Sequence, residues 1–175
     1  AGRKAASSLH LLLTHFHFDH LIGLPFFRTL FRRETELAFY SGEAPAVLRR
    51  RLFEFMTGPY FPVEFAETPS RKSYRRIGPR PVDIGGVRIT ACPLNHPQGC
   101  VAYRLEEGGW SAVFATDTEH SPKGIDARLA AFALGADVLV TGHYARVERA
   151  QHGAYRLRRG VDLRQDQSYV LHALG

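Results

Sequence analysis

The chain has 175 residues, 45% of them hydrophobic and 11% aromatic, with a net charge of +6. This length and composition fit a globular domain with a real core and exclude a disordered chain. No run approaches the ~18 apolar residues of a membrane span, and no secretory signal is recognisable, so we expect a cytoplasmic location and no membrane partner. The basic clusters Arg71–Arg80 and Arg156–Arg164 favour an anionic partner, although arginine-rich solvated loops explain them equally well.

The first half of the chain predicts alternating strands and helices. These are a buried strand Leu9–Thr14, a helix Leu21–Phe31 interrupted by Pro25, a strand Leu37–Tyr40 and a helix Ala44–Met56. Ser41 is a candidate cap near the start of the last helix, and Pro45 suits its first turn. Residues 57–81 are proline-rich and predict a long loop or lid. Within it, the aromatic residues Tyr60, Phe61 and Phe65 either line a substrate cleft or pack the loop against the core.

The second half predicts a sheet, one helix and a closing hairpin. The elements are strands Val82–Cys92, Cys100–Glu106 and Ser111–Thr116, a helix Ile125–Leu134, a strand Asp137–Thr141, and a hairpin of Tyr144–Arg149 with Ala154–Arg159. The pairs Gly85-Gly86 and Gly108-Gly109 mark hairpin turns. We expect Cys92 and Cys100 to be reduced thiols rather than a disulfide.

A dense group of metal-ligand side chains directly follows the first predicted strand. The motif T-H-F-H-F-D-H spans residues 14–20. Imidazole suits Zn, Fe, Ni or Cu, and a carboxylate widens the choice to Mn. In an extended segment His15, His17 and Asp19 share one face, and His20 points elsewhere unless the chain turns. The alternative is a histidine-rich loop that binds metal only adventitiously.

Two further residues at predicted strand ends can complete such a site. His96 follows the strand ending at Cys92, and Asp117 follows the strand ending near Thr116. Alone, each is an ordinary loop residue. Taken with the motif, they form a set of ligands that a sheet presents to one cleft.

These residues resemble the metallo-β-lactamase fold superfamily of metal-dependent hydrolases. The similarity covers about residues 9–137 and rests on the motif at 15–20, His96, Asp117 and the surrounding segments. Those segments are LLTHFHFDHLIGLPFF at 12–27, PYFP at 59–62, GGVR at 85–88, LNHP at 94–97 and ATDTEH at 115–120. The resemblance implies an α/β fold, an αββα sandwich. Because members place several strands before the motif, we expect the sandwich to be truncated at its N-terminus.

The last part of the chain resembles a different family, the ATP-dependent tRNA 2-thiouridylases. The similarity covers about residues 135–174, including ADVLVTGHYARV at 136–147 and DQSY at 166–169. We therefore predict a hydrolase domain at 1–137 and an atypical tail at 138–175 that is not an independent domain. Thiolation requires an ATP-binding loop of S-G-G-V-D-S type and a redox-active cysteine pair, and the sequence contains neither.

The superfamily resemblance implies roles for each ligand. His15, His17 and His96 would hold one divalent metal, Asp19 and His20 the second, and Asp117 would bridge them. The last ligand is expected at His143, with His152 as the alternative. The two ions are expected to be Zn, with Mn or Fe as alternatives. Asp19 and Asp117 are the implied catalytic residues, Asp19 as a proton carrier.

The function implied is hydrolysis by a metal-activated water. The expected substrate is a phosphodiester or related ester, in a small molecule, a nucleotide or a nucleic acid. Two alternatives remain: a fragment of a thiouridylase fusion, and a metal-binding chimera that catalyses nothing.

Overall fold

The computed structural model describes residues 8–119, 127–142, 146–149, 155–158 and 161. The chain divides into two compact units, Ala1–Arg80 and Pro81–Gly175. None of the helices in the described ranges is long and apolar enough to cross a membrane.

The first unit contains a three-stranded parallel sheet in the order β1-β2-β3. Its elements are β1 (Ser8–Leu12), α1 (Phe18–Leu21), β2 (Glu36–Ser41), α2 (Pro45–Phe55) and β3 (Arg71–Arg76), with 3-10 helices at Leu24–Phe26, Arg28–Phe31 and Phe65–Glu67. Leu37 and Phe39 of β2 join Leu48 and Leu52 of α2 in the core of this unit. The strand predictions at 9–14 and 37–40 are confirmed to within two residues at each end.

Helix α2 confirms the prediction at 44–56, but its cap differs. Pro45 occupies the first turn, as expected, and the N-cap is Ala44, which makes no side-chain capping bond. The Ser41 hydroxyl instead accepts a hydrogen bond from the Glu43 amide at 3.1 Å, before the helix begins. Ser41 as a helix cap is therefore wrong. It ends β2 and supports the turn that leads into α2.

Two predictions in this unit are wrong in part. The helix expected at 21–31 is replaced by the end of α1 and two 3-10 helices, because Gly23 and Pro25 break the continuous α-helical pattern. The lid expected at 57–81 contains β3, a basic strand that pairs in parallel with β2. Its polar sequence gives no strand signal, since its place in the sheet is set by the partner strand.

The three aromatic residues of the expected lid separate by environment. Phe65 is fully buried, and its ring lies 5.7 Å from those of Phe39 and Phe53. Phe61 is half-buried against the same core, and Tyr60 is exposed. Packing against the core is thus confirmed for Phe65 and Phe61, and a cleft-lining role for Phe65 is wrong.

The second unit contains a five-stranded sheet in the order β4-β5-β6-β7-β8. Its elements are β4 (Val82–Ile84), β5 (Val87–Leu94), β6 (Cys100–Glu107), β7 (Trp110–Ala115), α3 (Ala127–Ala133) and β8 (Val138–Thr141). Neighbouring strands are antiparallel except for the parallel pair β7–β8. Both Gly-Gly turns are confirmed, and all four glycines adopt the positive φ that a two-residue hairpin requires. The strand predicted at 82–92 is therefore two strands joined at Gly85-Gly86.

Helix α3 packs on one face of this sheet. Leu129 of α3 shares a core cluster with Val113 and Ala115 of β7. The Arg104 guanidinium donates to the carbonyls of Phe132 and Leu134 at 3.0 and 3.2 Å. A cationic donor suits the carbonyls at a helix C-terminus, which lack partners within the helix. These two bonds join β6 to the end of α3.

The parallel pair β7–β8 is held by a carboxylate. The Asp137 side chain accepts from the Ser111 amide at 2.7 Å and from its hydroxyl at 3.1 Å. Beyond β8, the antiparallel hairpin of β9 (Arg146–Arg149) and β10 (Tyr155–Arg158) confirms the predicted closing hairpin. Cys92 and Cys100 do not form a disulfide, as expected.

The core of the first unit yields a stability prediction. Phe65→Ala should lower the free energy of unfolding by about 3–5 kcal/mol, because it removes a fully buried ring and leaves a cavity. Urea denaturation followed by circular dichroism measures this change. The matched control is Tyr60→Ala in the same segment, an exposed site where a change within about 0.5 kcal/mol is expected. Equal losses in the two variants would contradict the assignment of Phe65 to the core.

Candidate metal centre

The histidine motif begins where the chain leaves the parallel sheet. The Leu13 amide donates to the Tyr40 carbonyl at 2.9 Å, so the chain stays beside β2 for one residue after β1. Thr14 and His15 follow and are buried, with His15 only 2% exposed. The Thr14 hydroxyl lies 3.2 Å from His15 Nδ1. This contact orients the imidazole at the carboxyl end of the sheet, where α/β proteins commonly bind ligands.

The second half of the motif is helical rather than extended. Helix α1 begins at Phe18 and takes His17 as its N-cap. The prediction that His15, His17 and Asp19 share one face of an extended segment is therefore wrong, because the change to helix turns the chain after His17. The alternative that the sequence analysis left open is confirmed: the chain turns after His17, and this turn brings His20 close to His15.

The three imidazoles of the motif lie close together. The ring centroid of His15 is 4.6 Å from that of His17 and 4.2 Å from that of His20. Ligand nitrogens of His15 and His17 are within 4.8 Å of each other. Asp19 carries a side chain that is 76% exposed, and its carboxylate lies 3.5 Å from His20 Nε2. The carboxylate is thus at the solvent side of the histidine group.

The second unit brings His96 and Asp117 together. His96 follows β5 and Asp117 follows β7, and His96 Nε2 lies 3.7 Å from an Asp117 carboxylate oxygen. Both side chains are mostly buried, at 14% and 31% exposure. The structure thus brings these two strand-end residues together, in agreement with the sequence-based expectation.

Backbone and side-chain bonds fix the two loops that carry this pair. The Glu119 amide donates to the Asn95 carbonyl, and the Asn95 side-chain amide donates to the Glu119 carbonyl at 2.8 Å. After His96 the chain reverses tightly, since the Gly99 amide donates to the His96 carbonyl at 3.1 Å. Sequence reasoning missed Asn95 as a positioning residue. Its only signal is its place beside His96.

The end of β8 also approaches this loop. A Cβ added at Gly142 would lie 3.2 Å from the Thr116 carbonyl oxygen and 3.7 Å from the Asp117 carboxylate. The lack of a side chain at Gly142 therefore allows this close approach. His143, the next residue, lies outside the described residues, as do His120 and His152. The assignment of His143 as a metal ligand stays a prediction.

The donor types in both groups fit a divalent transition metal. The motif supplies three imidazoles and one exposed carboxylate, and the second unit supplies an imidazole beside a carboxylate. Neutral imidazoles and carboxylates are ligands for Zn, Mn and Fe.

In the second unit, burial raises the pKa of the Tyr103 phenol, and the nearby Cys100 adds to the shift. This phenol on β6 therefore stays neutral at physiological pH.

Comparison with known proteins identifies the family. The model of the beta-lactamase superfamily domain matches residues 3–166, so the chain belongs to this superfamily. Its mixed α/β sheets are those of the predicted metallo-β-lactamase fold.

Two solved structures show the same fold. A diphosphatase from the PhnP family has a TM-score of 0.53 and 19% identity, over 85% of this chain and 52% of that chain. Zn(2+)-bound PqqB from Methylobacterium extorquens has a TM-score of 0.50 and 16% identity, over 77% and 46%. This chain thus spans about half the length of each.

A short segment is similar to a second kind of protein, as predicted. The tRNA-specific 2-thiouridylase MnmA of Chloroflexus aurantiacus is 57% identical over 42 residues, which are 24% of this chain and 12% of the relative. The Corynebacterium efficiens protein is 61% identical over 44 residues, 25% and 12% of the two chains. The chain spans only about an eighth of these relatives, and the similarity does not confirm a fusion.

The bonds around Asn95 lead to a prediction about the loops. Asn95→Ala removes the donor to the Glu119 carbonyl, so the segment 115–119 should exchange its amide hydrogens several-fold faster. Hydrogen exchange followed by mass spectrometry measures this. Glu107→Ala, at the opposite end of β6 from the His96 loop, is the control and should leave that segment unchanged. Unaltered exchange in Asn95→Ala would show that the side chain does not hold the loops together.

Proposed function

We propose that the chain is a metal-dependent hydrolase that acts on a phosphodiester. The observation that carries the proposal is the close grouping of His15, His17 and His20 at the carboxyl end of the parallel sheet. In a chain of the beta-lactamase superfamily, this grouping is best explained as the start of a metal centre.

The proposed ligand set joins both groups of residues. His15, His17 and His96 would hold one ion, Asp19 and His20 the second, and Asp117 would bridge the two, with His143 as the last ligand. Zn is proposed, and Mn and Fe are the alternatives. When bound, such a pair of ions supplies a nucleophile by lowering the pKa of water, and it stabilises charge on the reacting oxygens.

The remaining chemistry belongs to the chain's own residues. The Asp19 carboxylate, exposed and 3.5 Å from His20, can accept a proton or return one to a leaving group. Thr14 orients His15, and Asn95 supports the loop that carries His96. Such hydrogen-bonded supports usually set ligand orientation and affinity.

The choice of a phosphodiester rests on charge. Part of the predicted basic cluster at 71–80 has structural roles: Arg71 pairs with Glu36, and Arg76 donates to the Gly42 carbonyl at 3.0 Å. Arg51 is our candidate for a phosphate contact: its guanidinium carbon lies 5.7 Å from the ring of Phe16, a residue of the histidine motif. The similar PhnP-family protein is a diphosphatase, which supports a phosphate substrate here. A nucleotide or nucleic acid substrate and a cytoplasmic location complete the proposal.

The ligand assignment predicts a change in metal content. His15→Ala combined with His17→Ala should remove about one of the two bound ions, since both side chains would ligate the same ion. Elemental analysis after dialysis measures it, with about two ions per chain expected for the unaltered protein. His10→Ala is the matched control, because His10 lies on β1 outside the motif and contacts Tyr40. Equal metal content in the double variant and the unaltered protein would defeat the assignment.

The reaction itself is tested with a panel of esters. With Zn or Mn present, hydrolysis of bis(p-nitrophenyl) phosphate should exceed that of a thioester and a β-lactam, and chelation should abolish it. Asp19→Asn should lower kcat by at least about 100-fold if Asp19 carries a proton. Activity confined to the thioester or lactam would overturn the phosphodiester proposal. Transfer of sulfur to tRNA with ATP would instead support the thiouridylase alternative.

A further inference from the structure

Two exposed aromatic side chains lie within the histidine motif or shortly after it in the sequence. Phe18 is 66% exposed and Phe26 is 74% exposed, and both belong to the first unit. Burial of such rings removes apolar surface from water and therefore favours binding. Clustered exposed apolar side chains commonly mark binding surfaces.

Each exposed ring rests on a ring anchored in the core. Phe18 lies 5.8 Å from Phe55, and Phe26 lies 6.0 Å from Phe61 in an edge-to-face arrangement. Phe55 and Phe61 are half-buried and pack on the core cluster of the first unit. Phe18 and Phe26 therefore each contact a half-buried ring on one side and solvent on the other.

Two further apolar side chains that are near these rings in the sequence are also exposed. Ile22, 50% exposed, lies four residues after Phe18 and four before Phe26, and Tyr60, 86% exposed, adjoins Phe61 in the chain. We call Phe18, Ile22, Phe26 and Tyr60 the aromatic patch. Because Phe18 sits between His17 and Asp19, the patch borders the proposed metal ligands.

We infer that the aromatic patch binds a planar aromatic group of the substrate, an aryl ring or a nucleobase, while Arg51 contacts its phosphate. The inference rests on the proposed function and narrows its substrate class. Pairs of aromatic rings attract each other more strongly than the buried area alone explains, and nucleobases stack on aromatic side chains. The charge of Arg51 matches a phosphate, whereas a second copy of this chain would bring another net charge of +6.

Two esters with the same leaving group test the preference. Bis(p-nitrophenyl) phosphate retains an aromatic group after p-nitrophenol leaves, and methyl p-nitrophenyl phosphate does not. The unaltered protein should favour the first by about tenfold in kcat/KM. Phe26→Leu keeps an apolar side chain but removes the ring, and should reduce the preference to within about twofold. Arg51→Ala should lower kcat/KM for both esters equally.

The control for these variants is Trp110→Leu, which changes an exposed ring on β7 of the second unit and should leave the preference intact. Circular dichroism confirms that each variant is folded. An unaltered protein without aryl preference, or a preference that persists in both Phe26→Leu and Tyr60→Leu, would overturn the inference.

A binding measurement separates this inference from the proposed reaction. Titration calorimetry of the zinc-loaded protein should show phenylphosphonate binding about tenfold more tightly than methylphosphonate, with the difference lost in Phe26→Leu. If neither ester is hydrolysed but this difference is found, the proposed function fails and the patch assignment stands. Equal binding of both phosphonates overturns the inference. A dimer that dissociates in Phe26→Leu, without ligand preference, overturns it in favour of a second copy.

Discussion

The parallel pairing of β1 with β2 determines where the histidine motif stands. The register places Leu11 beside Phe39, and both side chains belong to the core of this unit. A slip by one residue would reverse every side chain of β1 and turn Leu11 away from this core. The correct register delivers Thr14 and His15 to a buried position at the end of the sheet. Ligand placement in this unit thus depends on ordinary hydrophobic packing.

In the second unit, contacts between loops place the candidate ligands. Its two ligand candidates follow strands that are not neighbours, since β6 lies between β5 and β7. The reciprocal bonds between Asn95 and Glu119 join the two loops across that gap. The reversal at Gly99 and the absence of a side chain at Gly142 allow the surrounding backbone to pack closely. This arrangement relies on polar backbone contacts, whereas the first unit relies on apolar side chains.

The predictable parts of the molecule are those with local causes. Helix α2 follows from Pro45 and the spacing of its leucines, and the Gly-Gly turns follow from the positive φ that a hairpin requires. The sequence also predicts the ligand types of the motif, because three imidazoles and a carboxylate occur within six positions. By contrast, β3 has a basic sequence and becomes a strand only by pairing with β2. The helical turn at Phe18 and the role of Asn95 likewise depend on contacts distant in the sequence.

Charge and aromatic content show why composition alone cannot assign a binding surface. Arginine dominates the cationic residues, yet Arg104 binds the end of a helix and Arg71 pairs with a neighbouring strand. Phenylalanine divides in the same way, with Phe65 in the core and Phe26 largely exposed. What distinguishes the candidates for binding is location: Arg51 beside Phe16, and Phe18 within the motif itself. Phe18 is largely exposed although it lies between two proposed ligands, so its place in the motif, rather than its residue type, makes it a candidate for binding.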